Sequence, residues 1–341
     1  MPESLIMILL WILLYSYLIL SSIDFGTSFH YFYGRTVYRQ DSTFTLIHDY
    51  LSPVSEVINI CFVLLFAAVI SFSPDIFLGL QTQLAFSGIL AVLLILLKGT
   101  FFALSELLPK ESKVNSICIA GNGITGLFVP AALSISMVVS EGGFDSSGTD
   151  GIMVFVGKLL SSTYFWSVMI VTVVSIFYIS SMYLTYFAHA SRNETLSERM
   201  RGQALFWSMP TVLASGFVFV GLEIQNPDHF MNTLNESWMF LLSLICLLFS
   251  VMLVFIKRWY RLSFYLVMGQ YFFALMGYGV SHLPYIIYPD LRVSASAARF
   301  TSGPLFFFAA LILSFLAVIL VLMIKSSMVR HNSDLRRSNG E

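Results

Sequence analysis

Charged side chains are scarce in this sequence of 341 residues. Only 11% of its residues are Asp, Glu, Lys or Arg, whereas soluble domains carry about 25%. Hydrophobic residues make up 57%, and the mean hydropathy is +0.82. This composition excludes a water-soluble enzyme. The near balance of 18 basic and 19 acidic residues also gives no electrostatic reason to expect a nucleic-acid partner.

Cysteine is scarce as well. Cys61, Cys118 and Cys246 fall inside apolar runs, without the paired spacing of a metal site or a disulfide framework. We therefore interpret them as small buried hydrophobic residues. The sequence also lacks a Walker loop and the HExxH and GxSxG motifs, which are typical of P-loop nucleotide-binding proteins, zinc metalloproteases and α/β-hydrolases.

Apolar runs of about 20 residues recur along the whole chain, and each is long enough to cross a hydrocarbon layer about 30 Å thick. Because these runs are continuous rather than alternating, they predict helices and not the strands of a barrel. We predict an all-α integral membrane protein that forms one polytopic domain over residues 1–341. Its nine predicted transmembrane helices are 5–23, 56–78, 82–108, 115–138, 164–188, 203–223, 237–256, 262–283 and 303–324.

The basic residues predict the orientation of these spans. Of the 18 Lys and Arg residues, 14 follow odd-numbered spans, Lys98 lies within a span, and Lys158, Arg292 and Arg299 lie on the opposite side. Cytoplasmic loops of membrane proteins are enriched in Lys and Arg. We therefore expect the N-terminus outside and the C-terminus in the cytoplasm.

Placing an ionisable side chain inside a membrane costs several kcal/mol unless the side chain is paired with another charge, hydrated or needed for function. Asp24 closes the first predicted span, Glu56 opens the second, and Lys98 and Glu106 lie in the cytoplasmic half and at the cytoplasmic end of the third. With the predicted orientation, all four lie between the membrane midplane and the cytoplasmic surface. They could therefore meet in one polar cluster.

Lys98 lies deepest of these four residues. At 1.5 Å per residue it is about 15 Å from the cytoplasmic end of its span, so it needs a partner: Asp24, Glu56 or an acceptor on another subunit. Three interpretations stay open. The lysine forms an ion pair that fixes helix packing, belongs to a carboxylate–lysine–water path for protons from the cytoplasm, or faces a water-filled cavity.

The remaining polar residues near span ends predict simpler roles. Glu223, His282 and His189 lie near the ends of spans, where we expect interfacial capping or hydration. None of the six histidines is predicted at mid-depth, so the chain is expected to bind no haem by itself. Glycines at 121, 123 and 126 predict close helix packing rather than phosphate binding.

Several short motifs resemble subunit II of the cytochrome bd quinol oxidases. Asp24–Gly26 ends the first span, Ser55–Val57 opens the second, and Lys98–Gly99 lies in the third. The later segments Tyr278–Tyr285 and Tyr288–Leu291 resemble the outer-face segment between helices eight and nine of that family. Their order and spacing extend the resemblance over nearly the whole chain.

Three departures from the family pattern indicate a divergent member. Pro53–Ser55 stands where the family usually has Asp–Gly–Asn, which removes one acidic group often assigned to the proton path. Lys98 replaces the usual arginine and keeps its charge but not its bidentate geometry. His282 stands where glutamine is common.

The resemblance implies the non-haem subunit of a quinol:oxygen oxidoreductase in a bacterial cytoplasmic membrane. In this family, haem b, haem d and the quinol-oxidising loop belong to subunit I. Subunit II is its pseudo-symmetric partner, with two four-helix bundles and a peripheral helix. By this resemblance no catalytic residue, cofactor or metal site is expected in this chain, and Asp24 and Glu56 would relay protons while Lys98 holds their charge.

The resemblance also allows a structural quinone or lipid in this subunit and a small single-span third subunit beside the complex, whose substrates are quinol and oxygen. Two other functions stay open from the sequence. One is a proton- or ion-coupled secondary transporter with Asp24, Glu56 and Lys98 as its coupling site, although inverted repeats are not detectable. The other is a structural scaffold for a partner subunit.

Overall fold

The computed structural model describes residues 3–38, 58, 81–109, 112–144, 151–289 and 291–292. Glu56 and the predicted spans 56–78 and 303–324 lie outside these residues.

Helices form nearly all of this part of the chain, which confirms the predicted all-α class. An antiparallel pair of very short strands, β1 (Tyr285–Ile287) and β2 (Leu291–Arg292), follows the last described helix. The helices are α1 (Glu3–Tyr38), α2 (Gln81–Leu107), α3 (Lys113–Ser140), α4 (Ile152–Ser161), α5 (Thr163–Ala190), α6 (Glu194–Gln225), α7 (Pro227–Asn235), α8 (Ser237–Phe255) and α9 (Tyr260–His282).

Seven of these helices, α1, α2, α3, α5, α6, α8 and α9, coincide with predicted spans. Within the described ranges, six of them (α1, α2, α3, α5, α6 and α8) are long and apolar enough to cross a membrane. The total of nine spans, their orientation and the arrangement in two bundles stay predictions.

Helix α1 is longer than the first predicted span, 5–23. Helix α1 continues to Tyr38, so Asp24 lies in the interior of a helix and not at its end. The residues that lower the hydropathy after Asp24 are buried, and their polar groups are bonded within the helix: the hydroxyls of Thr27 and Ser28 donate to the carbonyls of Ile23 and Asp24. A hydropathy pattern ends a span at such residues, whereas satisfied hydrogen bonds allow the helix to continue.

Two short helices, α4 and α7, were not predicted. The sequence carries local signals for α7: Pro227 occupies its first turn, and the side chain of Asn226 accepts a hydrogen bond from the backbone N–H of His229 at 3.1 Å. Both helices are too short to cross a membrane, at 10 and 9 residues. They link longer helices.

Helix α1 is central to the packing. The consecutive pairs α2–α3, α5–α6 and α8–α9 pack side by side, while α1 lies against both α3 and α5, and α9 lies against α5. One apolar core joins α3, α4, α5 and α6 around Val138 and Tyr164, and another joins α1, α5, α8 and α9 around Ile179 and Val267. Large apolar side chains on α2 and α8 remain exposed, as lipid-facing or partner-facing surfaces would be.

Glycines allow α1 to approach both of its neighbours closely. A Cβ atom on Gly26 would lie 2.8 Å from the carbonyl oxygen of Ile176 on α5, and it would also meet Ser180. On the other side, a Cβ atom on Gly123 of α3 would lie 3.2 Å from the backbone of Phe29 on α1. The packing role predicted for the glycines of α3 is therefore confirmed at Gly123.

We expect Gly26→Ala to destabilise the protein, because the added methyl group forces α1 away from α5. Overpacking of this kind costs roughly 1–3 kcal/mol, which should appear as a lower midpoint of thermal unfolding in detergent. Gly216→Ala on α6 is the matched control, since nothing lies within 4 Å of its added Cβ atom. Equal losses in both variants would contradict the steric explanation.

Candidate functional site

Asp24 and Lys98 form a buried ion pair between α1 and α2. The Nζ atom of Lys98 donates to Oδ2 of Asp24 at 2.9 Å. The two side chains are only 3% and 1% exposed, so neither reaches the surface of the chain. Among the described residues, Asp24 is thus a partner of Lys98, as the sequence allowed. The role of the pair in proton transfer stays a prediction.

Apolar groups enclose this pair. The Lys98 ammonium lies 5.2 Å from the ring centroid of Phe25, close enough for a cation–π contact. A Cβ atom on Gly126 of α3 would come within 3.2 Å of the Lys98 side chain, so this glycine leaves room for the lysine. Nearby, Phe25, Val129 and Ile176 form a small buried cluster. The low polarity of these surroundings strengthens the attraction between the two charges.

Polar residues continue along α1 from the pair towards the predicted cytoplasmic end. Thr27, Ser28 and His30 are buried, and Nε2 of His30 lies 3.1 Å from the hydroxyl of Ser181 on α5. Farther on, Arg35 donates to the side-chain oxygen of Asn115 on α3 at 3.4 Å. We call Asp24, Thr27, Ser28, His30 and Arg35 the α1 polar stripe. It extends about 16 Å along the helix axis.

The other predicted site residues lie elsewhere. Glu106 is exposed, eight positions after Lys98 on α2, and therefore stands outside the buried pair. Glu56 lies outside the described residues. Glu223 on α6 and His189 on α5 are exposed near the ends of their helices, where the sequence placed them.

His282 differs from its predicted interfacial role, because it is buried in a second polar cluster. Glu141, which directly follows α3, lies beside His229 of α7 and His282 of α9. The Nδ1 atom of His229 is 2.9 Å from both carboxylate oxygens, and Nδ1 of His282 is 3.5 Å from Oε1. We call Glu141, His229 and His282 the Glu–His–His cluster.

Neighbouring residues hold each member of the Glu–His–His cluster in place. The hydroxyl of Tyr278 donates to Oε1 of Glu141, and the amide of Asn226 donates to Oε2 at 3.0 Å. The Nε2 atom of His229 lies 2.9 Å from the hydroxyl oxygen of Ser281. Tyr288, at the end of β1, covers both imidazole rings at centroid distances of 5.7 and 5.1 Å.

Electrostatics keep Glu141 ionised. Burial alone would raise the pKa of this carboxyl group, but hydrogen bonds and charges from His229 and His282 outweigh burial and lower the pKa to about 2. The ionised carboxylate therefore accepts hydrogen bonds from the groups that surround it.

Sequence reasoning missed this cluster and His30. Glu141 begins a Gly- and Ser-rich loop, and it lies 88 residues before His229 and 141 before His282, so no spacing rule connects them. Gly142 has a φ of +81° and lets the chain turn immediately after Glu141. For His30 a signal existed, since Asp24, Thr27 and His30 are polar and follow one another at the helical spacing of three residues.

The chain is similar to known proteins over nearly its whole length. The family model of the cytochrome bd terminal oxidase subunit II matches residues 2–328. A solved structure of the bd oxidase from Geobacillus thermodenitrificans contains a chain that is 32% identical, with a TM-score of 0.76, and the match covers 96% of this chain and 97% of that one.

A curated Bacillus subtilis (strain 168) protein, which carries the provisional name of a cytochrome bd menaquinol oxidase subunit II, is 26% identical over 294 residues. This match covers 84% of the present chain and 83% of the relative. The apolar helices and these similarities indicate a multi-pass protein of a bacterial plasma membrane. The chain belongs to the cytochrome bd terminal oxidase subunit II family.

Proposed function

We propose that this chain is the non-haem subunit II of a bd-type quinol:oxygen oxidoreductase. In this role it supports the haem-bearing subunit I and contributes part of a proton path from the cytoplasm to the oxygen-reducing site. The observation that carries the proposal is the buried ion pair of Asp24 and Lys98 inside two apolar helices. Oxygen reduction to water consumes protons, and hydrocarbon does not conduct them.

The α1 polar stripe supplies the direction of the proposed path. His30 lies six residues beyond Asp24 and Arg35 lies eleven beyond it, both towards the end of α1 predicted to face the cytoplasm. The rise from Asp24 to His30 is about 9 Å, which is longer than one hydrogen bond. The proposed path therefore needs water molecules beside the hydroxyl oxygens of Thr27 and Ser28.

In this mechanism the pair provides a charged acceptor inside the membrane. The carboxylate of Asp24, whose Oδ2 lies 2.9 Å from Nζ of Lys98, is the proposed acceptor of a proton that arrives along the stripe. The ammonium also offsets the cost of burying that negative charge. Glu56 and Glu106, which the sequence placed on the same path, stay proposed members of it.

Haem binding is proposed for subunit I and not for this chain. The buried histidines among the described residues already contact protein groups: His30 contacts Ser181, and His229 and His282 contact Glu141. An iron ligand drawn from these residues would have to give up a buried contact. When bound in the partner subunit, the haems would carry electrons from quinol and supply the iron that binds oxygen.

Charge-neutralising variants test the proton path. We expect Asp24→Asn and Lys98→Met to lower quinol-dependent oxygen consumption by about tenfold, which corresponds to roughly 1.4 kcal/mol on the barrier. Oxygen uptake by the purified oxidase, normalised to haem content, measures this. Lys158→Met is the matched control, since Lys158 is exposed on α4. If turnover is unchanged while haem content is intact, the chain acts only as a scaffold.

A double-mutant cycle separates the ion pair from the rest of the packing. Either single variant leaves one buried charge without its partner, which costs about 3–5 kcal/mol. We expect the double variant Asp24→Asn, Lys98→Met to be more stable than at least one single variant. Thermal unfolding in detergent measures the three differences, and additive losses would show that the two charges are not coupled.

Purification distinguishes the oxidase from a transporter. We expect the chain, extracted from its native membrane in mild detergent, to elute together with a longer chain that shows b- and d-type haem absorbance. This follows from family membership and from the exposed apolar surfaces of α2 and α8. A colourless, stable monomer would contradict the oxidase assignment and favour the transporter.

A further inference from the structure

Three possible metal-binding atoms of the Glu–His–His cluster lie within 3.5 Å of one another. Nδ1 of His229 lies 2.9 Å from the Glu141 carboxylate, Nδ1 of His282 lies 3.5 Å from the same carboxylate, and the two Nδ1 atoms are 3.5 Å apart. The side chains of Glu141 and His229 are fully buried, and that of His282 is 11% exposed. Among the described residues, this is a group of His, Cys, Asp and Glu side chains placed to hold a metal ion.

We propose that Glu141, His229 and His282 bind a divalent transition-metal ion of the zinc class. Two imidazole nitrogens and one carboxylate oxygen form a donor set that suits zinc and its neighbours and not Mg²⁺ or Ca²⁺, which prefer oxygen ligands. This proposal does not rest on the proposed function, because it uses only residues outside the Asp24–Lys98 pair.

The contacts of His229 fix the position of its ring. Its Nδ1 atom lies 2.9 Å from both oxygens of the Glu141 carboxylate, and its Nε2 atom lies 2.9 Å from the hydroxyl oxygen of Ser281. Nδ1 is therefore the nitrogen that faces the other two members of the cluster. A metal ion bound there would replace any proton on Nδ1, and Nε2 would then carry the proton and donate to Ser281.

The distances favour a metal ion over a proton. Zinc binds nitrogen and oxygen at about 2.0–2.1 Å, so neighbouring ligand atoms in a tetrahedral site are about 3.3 Å apart. The separations of 2.9, 3.5 and 3.5 Å depart from this value by only a few tenths of an ångström. A single proton would bridge one pair of atoms, and it would leave Nδ1 of His282 at 3.5 Å, too far for a good hydrogen bond.

The surroundings have the outer-sphere contacts that metal sites use. Ligand imidazoles in metal sites donate their second nitrogen to an acceptor, and ligand carboxylates accept further hydrogen bonds. Nε2 of His229 lies 2.9 Å from the Ser281 hydroxyl, to which it would donate with a metal ion on Nδ1, while Glu141 accepts from Tyr278 and Asn226. These contacts fix the donor atoms before an ion arrives, which lowers the cost of assembling the site.

The position of the cluster indicates a structural role for the ion. Its ligands come from the end of α3, from α7 and from the end of α9, which are far apart in the sequence. The backbone N–H of Tyr288 donates to the carbonyl of Ser140 at 2.9 Å, so the β1–β2 hairpin is held over the cluster. The ion would thus join these three helices at the membrane face that is predicted to be external.

Zinc analysis of the purified protein tests this proposal. The chain is extracted with any partner subunits that accompany it, equilibrated with Zn²⁺ and passed through a desalting column. We expect about one zinc ion per chain in the unaltered protein, measured by mass spectrometry, and about a tenfold lower content in Glu141→Gln and His282→Gln. Glu223→Gln and His189→Gln are matched controls at exposed positions and should retain the zinc.

A second measurement on the unaltered protein guards against variants that do not fold. X-ray absorption at the zinc edge should show nitrogen and oxygen ligands at about 2.0–2.1 Å with the scattering pattern of imidazole. Removal of the ion with a chelator should lower the midpoint of thermal unfolding. Zinc far below one ion per chain, zinc equal in all variants, or a spectrum without imidazole would each overturn the proposal.

Discussion

The cost of burying charge determines how the first helices meet. Each ion taken out of water costs several kcal/mol, and only a partner within hydrogen-bonding distance offsets most of that cost. The 2.9 Å contact of Lys98 with Asp24 therefore ties α2, which packs against α3, to the interior of α1. Gly26 and Gly126 are consistent with this constraint, because each removes a side chain where a backbone or the lysine stem must pass.

Most helices could be predicted because in lipid every backbone group must be bonded within its own helix or a closed barrel, so a continuous apolar run has few alternatives. This is why 82–108 was predicted and Gln81–Leu107 was observed. Hydropathy did not predict the end of helix α1. It scores Thr27, Ser28 and His30 as polar, although their polar groups are hydrogen-bonded or buried. The short helices α4 and α7 could not be predicted from span length at all.

The two polar sites differed in how far the sequence revealed them. Lys98 could be recognised from its position alone, because a lysine about 15 Å inside a span needs an opposite charge or water beside it. Glu141, His229 and His282 each lie near the end of a helix, where a single polar residue is ordinary. Only the tertiary fold, which brings the end of α3 to α7 and to the end of α9, places them together. The sequence does not reveal this arrangement, because the three residues belong to different parts of the chain and no helical spacing connects them.

The two sites also handle charge in opposite ways. Gly126, which contacts Lys98, precedes Glu141 by 15 residues of α3, so the sites lie about 22 Å apart along that helix. In the Asp24–Lys98 pair, the ammonium faces the carboxylate. The α1 polar stripe extends from this pair along α1, as the proposed proton path requires. In the Glu–His–His cluster, the carboxylate and the two imidazoles face one another beneath Tyr288. The buried carboxylate there also accepts from Tyr278 and Asn226, so its neighbours offset the cost of burying its charge, and the enclosure favours retention of a bound ion, as in the proposed metal site, over transfer.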